Sequence, residues 1–356
     1  MITSTPPLIA SAVSLLKQLI ATPSLSRNEG NTASLIEEYL RDRGLAPRRQ
    51  GNNIWVRNKY NRAGKPVILL NSHHDTVKPS EGWARKPFHP GVEGDRLYGL
   101  GSNDAGGPLV SLIATFLHFY ERKDLPFNLI LAATAEEEIS GADGIASILP
   151  ELGPVDLGIV GEPTQMQMAV AEKGLMVLDC VAHGRSGHAA REEGENAIYK
   201  ALKDIEWFRN FRFPLHSELM GEMKMTVTQI EAGAQHNVVP DRCSFVVDVR
   251  TIEQYSNEAA FDIIRKAVDS EVKARSFRLN SSRIPLDHPV VQRGLQLGLS
   301  YFGSPTLSDQ ALMPFTTLKI GPGDSARSHT PDEYICLSEI EAGIHTYVRL
   351  LEGLRV

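Results

Sequence analysis

The sequence predicts an α/β fold: a mostly parallel sheet with helices on both faces, carrying an inserted βαββαβ domain of ferredoxin-like type. Three observations lead there. Short, near-continuous apolar runs at 67–71, 128–134 and 157–160 have the character of strands buried on both faces. Segments of helical period lie between them. After about residue 165 the strands change to apolar–polar alternation, the mark of a sheet with one wet face. At 356 residues the chain is long enough for two domains.

Taken in order, residues 8–21 form the first helix. Leu8, Ile9, Val13, Leu16 and Ile20 follow helical spacing, and Ser11, Ser14, Lys17 and Gln18 interrupt the apolar run. A basic stretch before it and a small-residue cleavage site after it are both missing, so a signal peptide is not expected. Residues 32–43 are the second helix, with Leu35, Ile36 and Leu40 on one face and Asn31 as N-cap. The strand at 67–71 is followed by a long apolar helix at 108–120, and then by the strands at 128–134 and 157–160. In the inserted part, 175–183 alternates as a strand and 196–208 is an amphipathic helix. Strands at 223–230 and 243–250, a helix at 258–268 and a strand at 275–279 complete the split βαβ pattern. A helix at 290–299, a strand at 317–320 and a helix at 338–351 return to the first domain. The expected domains are therefore 1–165 with 286–356, and 166–285.

Composition narrows the function. With 42% hydrophobic and 22% charged residues this is an ordinary globular chain, and a net charge of −6 gives no electrostatic case for nucleic acid or an anionic membrane. No run approaches the roughly 20 apolar residues that span a bilayer. Cys180, Cys243 and Cys336 are scattered and odd in number, which predicts reduced thiols and a cytoplasmic location.

Sites in open α/β sheets form beyond the carboxyl ends of the strands. His73, His74 and Asp75 follow the first strand, Glu136, Glu137 and Glu138 the second, and Glu162 the third. His329 lies in the loop after 317–320, and Asp104 sits in a glycine-rich turn before the long helix. On a strand, His73 and Asp75 face the same way, which suits a ligand imidazole held from behind by a carboxylate. His74 faces away from Asp75; a one-residue slip would exchange the two histidines. Taken singly, each cluster has a bland reading: a surface histidine, a solvated acidic loop, or, for Asp104, a helix cap. Together, two imidazoles and three carboxylates are what a co-catalytic pair of divalent ions needs, one His and one terminal carboxylate per ion plus a bridge. Ligation without sulfur favours zinc, with cobalt or manganese as alternatives.

The ordered set His-x-Asp, Gly-x-Gly-x-x-Asp, Glu-Glu, Gly161-Glu162-Pro163-Thr164 and a late His before Pro-x-Glu-Tyr resembles the M20 family of zinc-dependent metallopeptidases and deacylases over essentially the whole chain. The resemblance implies His73 and Glu162 on one metal, Glu138 and His329 on the other, and Asp104 bridging. Asp75 would orient His73. Glu137 would be the general base that takes a proton from metal-bound water and passes it to the leaving amine. Within Gly184-Arg185-Ser186-Gly187-His188-Ala189, His188 corresponds to a residue that stabilises the oxyanion from the lid or a partner subunit. Asn237 and Arg250 match substrate-contacting positions, and a guanidinium suits a carboxylate. The resemblance also implies a homodimer formed through the inserted domain. The chain departs from the pattern at Ser72, where Gly is common, and at Ala105-Gly106-Gly107, where Met-Lys-Gly is common. Neither departure removes a ligand.

Length and the strings 135–141 and Ser308-Asp309-Gln310-Ala311 most resemble the acetylornithine deacetylase branch, which includes deacylases of N-acylated citrulline. That implies hydrolysis of an Nα-acyl group, acetyl or succinyl, from ornithine or citrulline in arginine biosynthesis. Succinyl-diaminopimelate desuccinylase and an M20 aminopeptidase or dipeptidase are the alternatives. The desuccinylase arginines after Gly-Glu-Pro find no match in Ala171-Glu172-Lys173-Gly174, although Lys173 can pair with a carboxylate. A non-catalytic relative would be expected to have lost ligands or the base, and all are present.

Overall fold

A computed structural model describes residues 5–191 and 193–356 of the chain. Their contacts divide into two units. The first runs through Val170 and includes Ile284–Phe302 and Ser308–Val356; the second holds the described part of Ala171–Arg283 with Gly303–Leu307.

Four parallel strands form the centre of the first unit, in the spatial order Asn128–Thr134, Val67–His73, Leu157–Val160, Thr317–Lys319. All seven residues of Asn128–Thr134 and all four of Leu157–Val160 are buried, as the unbroken apolar runs require. Two antiparallel strands, Asn53–Arg57 and Arg48–Gln50, extend the sheet on one side. Met168–Glu172 continues it antiparallel to Thr317–Lys319 on the other. Helix Gly107–Phe119 is buried at every position except His118, because strand Val67–His73 and helices Thr5–Ala21 and Leu337–Leu351 pack around it. Each large apolar side chain so enclosed contributes about 1.5–3 kcal/mol of burial free energy.

This topology places the site. Parallel strands bring their carboxyl ends to one edge. From Val67–His73 the chain moves to one side to make Asn128–Thr134, then to the other side to make Leu157–Val160. The crevice where the strand order reverses therefore opens at His73. A small antiparallel sheet of Gly91–Glu93, Arg96–Tyr98 and Tyr334–Cys336 ties the segment after His329 to the segment before Asp104.

The second unit is an antiparallel sheet ordered Lys224–Ala232, Arg242–Arg250, Met176–His183, Glu271–Ala274, with helices Ala197–Asn210 and Asn257–Ala267. Chain order βαββαβ with spatial order 4-1-3-2 is the split βαβ arrangement. Alternation makes its core: Met176, Leu178, Cys180 and Ala182 pack with Cys243, Phe245, Val247 and Val249. Asn196 and Ser256 cap the two helices by accepting from Ile198 N and Ala259 N.

Two expectations need correction. Asn31 is not an N-cap: the helix is Gly30–Arg41, and Glu29 stands at the cap position. The Glu29 carboxylate turns instead to Arg27 N and Asn52 Nδ2. The last strand of the inserted sheet is Glu271–Ala274, not 275–279. Leu279 is buried as a loop anchor, its carbonyl accepting from Leu175 N and Asn257 Nδ2, so its alternation with Phe277 mimicked a strand. Among the described residues no helix is long and apolar enough to cross a membrane.

Candidate metal centre

His73 is the last residue of its strand and stands in register with Thr134, so the Glu136–Glu138 segment begins beside it. Glu162 follows Val160 by two residues, and His329 comes from the loop beyond Thr317–Lys319. Asp104 lies in the short helical turn Ser102–Gly106. The N-cap of the following helix is Gly106, without a side-chain cap bond, so Asp104 is not there to cap it.

The imidazole of His73 is 1% exposed and has a defined orientation. Its Nδ1–H donates to the Asp75 carbonyl at 2.9 Å, with Asp75 Oδ1 3.4 Å away. With Nδ1 so engaged, Nε2 is the nitrogen that faces the carboxylates. Nε2 lies 3.4 Å from Asp104 Oδ1, 3.7 Å from Glu162 Oε1 and 3.8 Å from Glu137 Oε2. His329 Nε2 lies 3.0 Å from Glu138 Oε2 and 3.6 Å from Asp104 Oδ2. Asp104 therefore turns one oxygen to each imidazole. The donor atoms group as His73, Asp104 and Glu138, and as His73, Glu137 and Glu162. By distance alone Glu137 is as close to His73 as Glu162 is.

Asp75 does more than hold His73. Its carboxylate accepts from Ser26 Oγ at 2.8 Å, Glu137 N at 3.0 Å and Glu138 N at 3.2 Å. Asp75 thus orients an imidazole through its carbonyl, with its carboxylate alongside, and with that carboxylate pins the turn that presents two glutamates. Glu136 and Ser140, which bracket that turn, and His329 itself hold left-handed φ of 56°, 46° and 59°. Such backbone costs of order 1–3 kcal/mol per residue and concentrates at functional sites.

The electrostatics of this cluster favour a cation. Burial raises Glu137 well above the usual carboxylate range, raises Glu138, and pushes Glu162 up to about 8, with neighbouring carboxylates adding to each. His73 is raised well above 6.5: burial pulls it down, but Glu137, Asp104, Asp75 and Glu162 outweigh that. His329 rises to about 9 through its bond to Glu138. Burial opposes ionisation of Asp104, yet His73 holds it below the ordinary value. His73 Nε2, Glu138 Oε1 and Glu162 Oε1 are buried with no hydrogen-bond partner. A buried polar atom without a partner is costly, and divalent cations among these donors would satisfy them. The donor set fits divalent ions.

His74 is a bystander to this cluster. Its Nδ1 meets Thr32 Oγ1 at 2.9 Å and its Nε2 meets the Asn52 carbonyl at 2.9 Å, which ties the strand to its neighbours. In the second unit, His188 is exposed on the two-residue strand Gly187–His188, paired with Val238–Val239, and its Nδ1 accepts from Ala190 N. The Asn237 carbonyl accepts from Ala189 N, so these two expected site residues share a turn region. Arg250 is already engaged by Asp248, Nε to Oδ1 at 2.8 Å and Nη2 to Oδ2 at 3.1 Å. Lys173 donates to the Glu222 carbonyl at 2.6 Å.

Three residues of the first unit received no role from the sequence. Asp309 is buried and accepts from Asn71 Nδ2 and Thr134 Oγ1, both at 2.9 Å; burial pushes it up to about 6. Asn103 and Glu333 bond to the loops that carry His329 and Asp104. The strings Ser308–Ala311 and Pro331–Tyr334 stand out in the sequence, but only as patterns.

Comparison with known proteins agrees with this geometry. The profile of peptidase family M20/M25/M40 matches residues 69–353. An acetylornithine deacetylase from Edwardsiella ictaluri is 30% identical over 92% of this chain and 93% of its own length. A putative succinyl-diaminopimelate desuccinylase from Mycobacterium tuberculosis is 28% identical over 96% of this chain and 98% of its own. Among solved structures, a dinuclear metal-binding M20 peptidase from Bacillus subtilis superposes with a TM-score of 0.76, at 17% identity, covering 97% of this chain and 98% of that one. The chain belongs to the M20/M25/M40 peptidase family, whose members are hydrolases acting on amides.

Proposed function

We propose that this M20 hydrolase removes a short acyl group, acetyl or succinyl, from the α-nitrogen of ornithine or citrulline, in the cytoplasm and as a step of arginine biosynthesis. The observation that carries the catalytic part is Asp104 set between His73 and His329, with Glu137 beside them. The substrate part rests on the 30% identity to an acetylornithine deacetylase. The relative named as a desuccinylase, nearly as similar, keeps succinyl-diaminopimelate hydrolysis as the second reading; aminopeptidase or dipeptidase activity is a third.

In this proposal His73 and Glu162 would hold one divalent ion and Glu138 and His329 the other, and Asp104 would serve both. Zinc is the first choice for the donor set, with cobalt or manganese behind it. When bound, such a pair polarises the amide carbonyl and lowers the pKa of water to about 7. Glu137 then acts as base and acid: its carboxylate takes a proton from the attacking water and returns it to the leaving nitrogen. Asp75 keeps His73 in the tautomer that presents Nε2. His188 donates toward the developing oxyanion, and Asn237 and Arg250 bind substrate polar groups. For Arg250 this requires Asp248 to share or release the guanidinium.

We also assign a homodimer to the second unit. Strand Lys224–Ala232 is at an edge of its sheet, and Ile230 is 55% exposed on it; Tyr199 and Leu202 of helix Ala197–Asn210 are 72% and 50% exposed. An unpaired edge with exposed apolar side chains is a pairing surface.

A hydrolysis panel tests the substrate. N-acetylornithine, N-acetylcitrulline, N-succinylornithine, N-succinyl-diaminopimelate and a dipeptide set would be offered to protein of measured metal content. Preference for an Nα-acylated ornithine or citrulline supports the proposal; preference for the diaminopimelate compound or for dipeptides replaces it.

A further inference from the structure

Glu333 lies four residues beyond His329 and is 2% exposed. Its carboxylate points at the backbone of the other loop. Oε1 accepts from Asn103 N at 2.8 Å and Asp104 N at 2.9 Å, and Oε2 accepts from Gly101 N at 3.0 Å. The Glu333 carbonyl also accepts from Gly99 N at 3.0 Å. Bonds run in the opposite sense from Asn103. Its Nδ2 donates to the Asp324 carbonyl at 3.0 Å and to Ser328 Oγ at 3.3 Å, while its Oδ1 accepts from Asp324 N at 2.9 Å. Ser328 immediately precedes His329. Gly101 and Gly323, at φ 75° and 90°, give the two loops backbone that other residues rarely adopt. A Cβ on Gly323 would also collide with the Asn103 amide.

Each loop is thus gripped by a side chain of the other: Asp104's by Glu333, and His329's by Asn103. We infer that Glu333 and Asn103 form a reciprocal latch that fixes Asp104 relative to His329, making Glu333 a positioning residue for the cation assigned to Glu138 and His329. This rests on the metal reading above. Its chemistry is specific to a carboxylate, because three N–H donors converge on two acceptor oxygens. A carboxamide offers one acceptor oxygen and would turn its NH2 toward at least one of those donors. The bond to Asp104 N matters most, since it acts on the residue that faces both imidazoles. Groups that orient metal ligands typically change metal affinity by about 10–100-fold when removed.

The test uses the full chain, stripped of metal and titrated with Zn2+ against a chromophoric chelator. The Co2+ absorption spectrum and the thermal midpoint of the metal-free protein are recorded in parallel. Glu333→Gln should weaken Zn2+ binding by about 10–100-fold, most in the equivalent assigned to Glu138 and His329, with the thermal midpoint of the metal-free protein held. The Co2+ spectrum of the weakened equivalent should alter, and kcat should fall with KM held. Asn103→Ser should move the same equivalent in the same direction, and decides the matter alone if Glu333→Gln does not fold. Wild-type affinity for both equivalents in the variants would overturn the latch. So would an equal loss of both equivalents accompanied by a lower thermal midpoint, since that marks a role in general stability. If the wild-type chain takes up no divalent ion, the metal reading falls and the latch with it. Because the readout is metal affinity, an absence of activity on acylated amino acids counts against the substrate assignment alone.

Discussion

His73 and His74 are adjacent and both buried, yet the strand turns them to opposite sides. One turns its Nε2 to carboxylates; the other has both ring nitrogens occupied by Thr32 and Asn52. His73→Ala should therefore lose metal, whereas His74→Ala should keep the full metal content and lose about 1–3 kcal/mol of stability from unpaired neighbours. Metal analysis alongside denaturant unfolding separates the two outcomes. The titration of the cluster gives a second expectation. In the metal-free protein Glu162 is pushed up to about 8 from 4.5, and His329 to about 9 from 6.5. Raised values mean that the folded state holds protons the unfolded state releases. The stability these groups contribute is full below their ordinary values and is lost as pH rises through about 8 and 9. Metal binds the deprotonated ligands, so its stabilisation should grow over the same window. Thermal midpoints with and without Zn2+ at mildly acid and mildly alkaline pH check this; a gap that narrows as pH rises contradicts it.

At the scale of elements, the turn from Glu136 to Ser140 is the sensitive part. Asp75 holds it from below through the N–H groups of Glu137 and Glu138. Gly141 closes it by donating to the Glu136 carbonyl, and leaves no room for a Cβ against the Glu136 side chain. Gly141→Ala should cost about 1–3 kcal/mol by overpacking. It should also lower kcat more than that loss explains, because the proposed base and one proposed ligand move together. Wild-type kcat in a folded Gly141→Ala protein would show the turn to be tolerant. These elements also show what the sequence made legible. The candidate ligands at strand ends are legible in the sequence because the runs before them are unbroken and apolar, which marks buried parallel strands. The hairpin of Arg48–Gln50 and Asn53–Arg57 was missed, its first strand being an exposed, polar edge. Glu271–Ala274 was displaced for the same reason. Asn103, Asp309 and Glu333 stand in recognisable strings, but their roles are not legible there, since these lie in contacts to chain more than 200 residues away.

For the whole molecule, a parallel sheet with its order reversing at Val67–His73 gathers residues from five segments between 73 and 329 at one edge. The second unit keeps an open strand edge; with the proposed homodimer formed there, Ile230→Lys should lower the mass from dimer to monomer by light scattering at equal concentration. An unchanged mass would place assembly elsewhere. The central claim is that the gathered carboxylates and imidazoles serve a metal pair while Glu137, equally close to His73, serves the proton. Glu137→Gln tests it most directly, by metal stoichiometry and steady-state hydrolysis measured on one preparation. The account predicts two bound equivalents, as in the wild type, with turnover lowered by about 10²–10⁴. Loss of one equivalent would make Glu137 a ligand, and near-normal turnover would deny it the role of base.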